Sequence, residues 1–182
     1  MKVCVFCSSS NNIPDRYKQS AYRLGQFLAG EGITLVYGGA TGGLMDAVAQ
    51  GATAGKGDII GVIPEIIIKM DRLSELPTQQ IIVSTMSERK RRLKEEADVF
   101  VVLPGGYGTL DEMFDVIASG NVGEHRKPLI CVNEDGFYRQ LLGHISTMKS
   151  ECFTPKNENY KPVFVATMEE CMKQISNLHT NK

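Results

Sequence analysis

Asp98-Val99-Phe100-Val101-Val102-Leu103-Pro104-Gly105-Gly106-Tyr107-Gly108-Thr109-Leu110-Asp111-Glu112 is the stretch on which the fold turns. Its first part is apolar, β-branched and bounded by turn residues, the pattern of a fully buried parallel strand. After it, Met113, Phe114, Val116 and Ile117 recur at helical spacing. The glycines therefore fall at a strand-to-helix turn, where free backbone N–H groups and the helix dipole favour an anion. Glycine lets the backbone approach a phosphate closely and adopt φ > 0. Thr109 is placed to cap the helix and to offer its hydroxyl to the same anion. Glu112 is expected in the first helical turn. No Lys-Ser/Thr follows at the spacing of a Walker A loop. The third glycine of a dinucleotide fingerprint is absent, and the loop follows a late strand. A mononucleotide phosphate or ribose-phosphate fits better than NAD.

The same alternation extends in both directions. Lys2 to Cys7, Ile33 to Tyr37, Asp58 to Ile63, Gln80 to Val83, Pro128 to Asn133 and Pro162 to Val165 read as further strands. Helices are expected from Tyr17 to about Gly30, after Gly43, from Met86 to Glu96, up to about Ser119, from Phe137 to Met148 and from Met168 to Leu178. Glu65 to Pro77 has no clear period and reads as an irregular connection. Strands alternating with helices give an α/β fold, three layers with a mostly parallel central sheet and helices on both faces. Ligands of such sheets bind beyond the carboxyl ends of the strands. Ser8–Asn11, Gly38–Gly43 and Gly105–Thr109 should gather at that edge and form a nucleotide-type pocket.

Composition narrows the class. The chain has 182 residues, 42% hydrophobic and 23% charged, with a net charge of −1. That length fits one domain, residues 1–182, with a sizeable core. The charge balance gives no extended nucleic-acid or anionic-membrane surface. No apolar run approaches spanning length and none precedes the first strand as a leader would, so the cytoplasm is the expected compartment. The five cysteines are expected to be buried and reduced, with Cys4 and Cys7 on opposite faces of a strand. Nothing completes a metal site. His125, His144 and His179 are isolated and read as surface or loop residues.

The charged helix opens with Met86-Ser87-Glu88-Arg89-Lys90-Arg91-Arg92, after possible caps Ser84, Thr85 or Ser87. It starts directly after a short strand, so its N-terminal end should reach the same sheet edge. A guanidinium there offers bidentate contacts to phosphate or ribose oxygens.

Met86-Ser87-Glu88-Arg89-Lys90 followed by Pro104-Gly105-Gly106-Tyr107-Gly108-Thr109-Leu110-Asp111-Glu112 resembles the paired signature of the LOG (LONELY GUY) family. These are cytokinin riboside 5′-monophosphate phosphoribohydrolases, often mislabelled as lysine decarboxylases. Leu35-Val36-Tyr37-Gly38-Gly39, Gly43-Leu44-Met45, Gly61-Val62-Ile63-Pro64 and Lys127-Pro128 look like further family segments in the family's order. The resemblance implies a Rossmann-like homodimer, active on a small-molecule nucleotide without metal or cofactor, with no nucleic-acid or membrane partner. Its activity would be hydrolysis of a nucleoside 5′-monophosphate to free base and ribose 5-phosphate. Arg89 and Glu112 map to the family's functional pair. Ser9, Gly38, Gly39, Met86, Lys90, Gly105, Gly106, Tyr107, Gly108, Thr109 and Asp111 are the candidate substrate-binding residues, Lys90 near the phosphate. A carboxylate at Glu112 would stabilise oxocarbenium charge or activate water, with Arg89 helping to keep it ionised.

Ala118-Ser119-Gly120-Asn121-Val122-Gly123 stands where the family usually has Thr-Trp-x-Gln-Leu-Gly. That marks the base-side pocket or the dimer contact as the place where this chain differs, and adds AMP to the expected substrates. Two other readings stay open. One is a mononucleotide-binding protein without turnover. The other is a pyridoxal-phosphate lysine decarboxylase, which needs a Schiff-base lysine, and Lys90 is the lysine nearest the proposed site.

Overall fold

A computed structural model describes residues 1–154 and 158–180. Its strands are β1 (Lys2–Phe6), β2 (Thr34–Tyr37), β3 (Ile59–Pro64), β4 (Gln79–Val83), β5 (Val99–Val102), β6 (Leu129–Val132) and β7 (Val163–Val165). Among the described residues they form one seven-stranded sheet in the order β4-β3-β2-β1-β5-β6-β7. Every neighbouring pair is parallel. The chain builds outward from β1 to one edge, then returns to lay β5 on the other side of β1. The β1/β5 boundary is thus the switch point where such sheets leave a crevice.

The helices are α1 (Asp15–Gly30), α2 (Gly43–Ala54), α3 (Glu65–Lys69), α4 (Met86–Glu96), α5 (Tyr107–Asn121), α6 (Arg139–Ser150) and α7 (Met168–Thr180). The period-2 alternation of the strands divides the core between two faces. Val3, Val5, Leu35, Tyr37, Val99 and Val101 pack with α1, α2 and α7. Cys4, Phe6, Val36, Phe100 and Val102 pack with Leu93 of α4 and Met113 and Val116 of α5. This is the expected three-layer α/β architecture.

Three expectations change. The segment after Pro64 is not wholly irregular: α3 makes a short helix that packs Ile67 against the core and leaves Ile66 and Ile68 exposed. Beyond it, Leu73 bridges back to Ala40. Cys4, Cys7, Cys131 and Cys171 are buried and free, but Cys152 is exposed in the turn after α6. The helix after Phe137 starts two residues later, because Glu134–Gly136 first makes a 3-10 turn with Asp135 at φ 54°. Among the described residues no helix is long and apolar enough to cross a membrane.

The position of α2, whose N-terminus opens beside the crevice, depends on its crossing with α1. A Cβ on Gly25 would overlap the Val48 carbonyl, and one on Gly51 would overlap the Tyr22 carbonyl. Both obstacles are backbone, which cannot rotate aside. Gly25→Ala is therefore expected to destabilise the fold by about 1–3 kcal/mol, read as a lower urea midpoint with an unchanged slope. An unchanged midpoint would refute the close crossing.

Candidate active site

The loops after β1, β2 and β5 meet at the switch point. The Ser8 N–H donates to the Pro104 carbonyl at 3.4 Å, joining the first loop to the third. Gly43 N–H donates to Asn11 Oδ1 at 3.0 Å, joining the second loop to the first. Together they wall a cavity of about 430 Å³. Its lining includes Ser8, Ser9 and Ser10, Gly38 and Ala40, Gly106, Gly108, Thr109 and Glu112, Met86 and Arg89, and also Cys7, Met45, Ile67 and Arg72.

α5 begins at Tyr107, earlier than expected, with Gly106 as its N-cap and no side chain capping it. Thr109 is thus not the cap. It lies in the first turn, buried, with its side chain over Gly105, where a Cβ would overlap its hydroxyl. The early start also moves Glu112 into the second turn, deeper in the cavity wall. Gly106 and Gly108 at this helix start line the cavity, and the first N–H groups of a helix have no intrahelical partner.

α4 is started by Thr85, whose Oγ1 accepts the Glu88 N–H at 3.1 Å, while Glu88 reaches back to the Ser84 N–H at 2.9 Å. This reciprocal cap fixes the phase of the helix. It turns Arg89 inward, where Nη1 donates to Glu112 Oε1 at 2.6 Å. The two side chains are only 8% and 5% exposed. Arg89 lies flat over Gly38, since a Cβ there would overlap Nη2. Its Nε is buried without a hydrogen-bond partner.

Burial pushes the Glu112 carboxyl above its ordinary value, and the charge and hydrogen bond of Arg89 pull it down without cancelling that rise. Arg89 therefore opposes protonation, as expected, but burial outweighs it. Cys7 shares the lining. Burial first, and the Glu112 charge second, push its thiol up, so it stays protonated and is no nucleophile near neutral pH.

Ser9, Gly38, Met86, Arg89, Gly106, Gly108, Thr109 and Glu112 come together as the sequence implies. Five other candidates do not line the cavity. Gly39 serves the turn, with φ 65° and Ile63 where a Cβ would sit. Gly105 makes room for Thr109 and lines a smaller neighbouring pocket. Tyr107 is 95% exposed. Lys90 and Asp111 pair with each other at 2.9 Å on the outer side, with Asp115 3.9 Å from the same ammonium. Each stands one residue, about 100°, round its helix from a cavity residue. The expected Lys90–phosphate contact is thus not prepared in this arrangement. Arg72 escaped the sequence reading; it falls in the Glu65–Pro77 stretch, which shows no clear period, and Lys69 nearby gives the same charge signal.

None of the lining residues is a lysine, so the cavity offers no amine for a Schiff base. Among the described residues no group of three His, Cys, Asp or Glu side chains could hold a metal ion. Ala118–Gly123 lies at the far end of α5 and contributes nothing to the cavity lining. Ala118 and Asn121 instead edge an apolar groove against α6, and Gly120 admits the Tyr160 ring against the helix.

The raised Glu112 has a consequence for stability. Its folded pKa exceeds its unfolded one, so its contribution is full below the unfolded value and is lost as pH rises through the folded value. Glu112→Gln does not titrate. As pH rises above the ordinary 4.5, urea melts should show the variant gaining stability relative to wild type. A pH-independent difference would contradict the upward shift.

Comparison with known proteins agrees with the geometry. A family model described as "Possible lysine decarboxylase" matches residues 45–175. The chain is 37% identical over 174 residues to the probable cytokinin riboside 5′-monophosphate phosphoribohydrolase LOGL3 of Oryza sativa subsp. japonica, spanning 96% of this chain and 82% of that one. It is 36% identical over 174 residues to cytokinin riboside 5′-monophosphate phosphoribohydrolase LOG4 of Arabidopsis thaliana, spanning 96% and 81%. Among solved structures, the molybdenum cofactor binding protein of Rippkaea orientalis superposes with a TM-score of 0.73 at 24% identity, over 97% of this chain and 96% of that one. The Moco carrier protein of Chlamydomonas reinhardtii gives 0.74 at 19%, over 100% and 98%. At these identities the two structures share the fold alone. The relatives' identity, sustained over nearly the whole chain, and the pairing of Arg89 with Glu112 in one cavity lead to one assignment: the chain belongs to the LOG family of cytokinin riboside 5′-monophosphate phosphoribohydrolases.

Proposed function

We propose that this protein hydrolyses the N-glycosidic bond of a nucleoside 5′-monophosphate, cytokinin riboside monophosphate or AMP, to free base and ribose 5-phosphate. The observation that carries the proposal is the buried Arg89–Glu112 pair in the wall of a cavity bounded by the N-terminus of α5. The phosphate goes to that N-terminus, where backbone N–H groups receive it. The apolar side chains of Ala40, Met45, Ile67 and Met86 give the base a surface to pack on.

In the reaction the bond from C1′ to the base nitrogen breaks, and positive charge develops on the ribose ring. Glu112 stabilises that charge and accepts a proton from the attacking water. The water oxygen bonds to C1′, and the departing base takes up a proton. Arg89 holds the Glu112 carboxylate in place. A carboxylate with a raised pKa is the stronger base near neutral pH. The homodimer and the cytoplasmic setting expected from the sequence belong to the same proposal.

The test is base release from AMP and from an N6-prenylated AMP, followed by chromatography. Wild type should release base, and Glu112→Gln should lower kcat by roughly 10²–10⁴-fold. Because the ionised carboxylate does the work, activity should fall as pH drops through the Glu112 pKa, with a midpoint above the ordinary 4.5. Nucleotide binding without release, or an unaffected Glu112→Gln, would overturn the hydrolase and leave a binding protein.

A further inference from the structure

Three cations stand near the cavity, and two are already spent on carboxylates. Arg89 is neutralised by Glu112 at 2.6 Å. Lys90 is held on the outer side by Asp111 at 2.9 Å. Arg72 differs. It lines the cavity, and among the described residues no carboxylate pairs with it.

Arg72 is nonetheless fixed in place. Its Nη2 donates to the Thr41 carbonyl at 2.9 Å and to the Ser9 carbonyl at 3.4 Å. Its backbone is tied as well: the Thr41 N–H donates to the Arg72 carbonyl at 2.8 Å, and the Arg72 N–H to the Ile67 carbonyl at 3.1 Å. The guanidinium thus bridges the loops after β1 and β2. The first of these loops touches the glycine loop through Ser8 and Pro104. Both of these side-chain bonds leave from Nη2, so the Nη1 and Nε edge is left for a ligand.

Charge decides what that ligand carries. A phosphate monoester brings close to two negative charges at neutral pH. The N-terminus of α5 offsets about half a charge. The Arg89–Glu112 pair contributes no net charge. A dianion entering this cavity therefore needs a further cation, and Arg72 is the lining residue free to be one. We propose that Arg72 is the phosphate-pairing residue of the substrate site, clasping the 5′-phosphate opposite the α5 N-terminus in the place the sequence had given to Lys90. This rests on the reading that the substrate is a nucleoside 5′-monophosphate. It names the group that selects the phosphorylated form over the nucleoside.

The experiment is calorimetric titration of ribose 5-phosphate and of adenosine into wild type, Arg72→Gln, Arg72→Lys and Lys90→Gln, with thermal melts to confirm folding. Arg72→Gln should weaken ribose 5-phosphate roughly tenfold or more, and Arg72→Lys should recover part of the loss. Lys90→Gln should stay within about threefold of wild type, the size expected for an exposed charge. Adenosine affinity should be the same in all four proteins. Unchanged ribose 5-phosphate binding in Arg72→Gln would overturn the proposal. So would a larger loss in Lys90→Gln, or no binding of ribose 5-phosphate by wild type. An equal loss of adenosine in Arg72→Gln would also overturn it, by placing the guanidinium on the base or ribose. None of these readings uses turnover. A wild type that binds ribose 5-phosphate through Arg72 but releases no base would remove the hydrolase and leave this assignment standing.

Discussion

The ion pair between Arg89 and Glu112 is the constraint around which the rest of the molecule is arranged. Two charged groups almost wholly out of water carry a desolvation penalty that their attraction offsets only with good geometry. The surroundings supply that geometry. Gly38 gives the guanidinium a flat surface to lie on. The reciprocal cap between Thr85 and Glu88 sets where α4 begins, and so which of its residues faces inward. Gly105 and Thr109 do the same for α5. Removing either partner would leave the other buried and alone. A pair this costly to stability is better understood as serving chemistry, since it holds a carboxylate of raised pKa beside an unsatisfied donor.

Two helices meeting at fixed phase explain why neighbouring residues diverge so sharply. Arg89 and Lys90 are adjacent on α4, and Glu112 and Asp111 are adjacent on α5. One cross-helix pair lies inside and the other outside. The inner pair is nearly dry, whereas the Asp111 side chain is 56% exposed. The same opposite charges at similar separations therefore differ in consequence. The outer pair is screened by water and adds little stability, while the charges of the inner one reach the buried thiols of Cys4 and Cys7.

This geometry also marks how far the sequence could be read. The strands and the three layers followed from short β-branched runs alternating with helical spacing, because burial of parallel strands imposes that pattern directly, whereas the order of the strands is set by long-range pairing. The gathering of Ser9, Gly38 and most of the glycine loop was legible because loops after parallel strands must collect at one edge, and the choice of Arg89 and Glu112 came from the resemblance to the family's paired motif. Lys90, Asp111 and Tyr107 were misplaced because motif membership carries no phase, and a shift of one residue turns a side chain about 100°. The start of α5 was missed because Gly106 can cap without any side chain to announce it. Arg72 was invisible for a different reason. It reaches the cavity through a backbone bridge between Ala40 and Leu73, a long-range pairing that no local period encodes.

The atypical Ala118–Gly123 segment shows how a departure can be contained. Ser119 turns its hydroxyl back to the Asp115 carbonyl at 2.7 Å, satisfying itself within the helix. Gly120 exposes the helix backbone to the Tyr160 ring, whose hydroxyl donates to the Lys127 carbonyl at 2.6 Å. His125 packs edge-on against both Tyr160 and Phe100 and bonds the Val116 carbonyl at 3.0 Å, closing the cluster on the α4–α5 side of the sheet. Glu112 and Ser119 are seven residues apart, about 10 Å along the helix axis, with buried Met113 and Val116 between them. Helix α5 therefore does two separable jobs. Its first two turns hold the cavity-lining Gly108 and Thr109 and the buried Glu112 carboxylate, and its last turn is a packing surface against Tyr160.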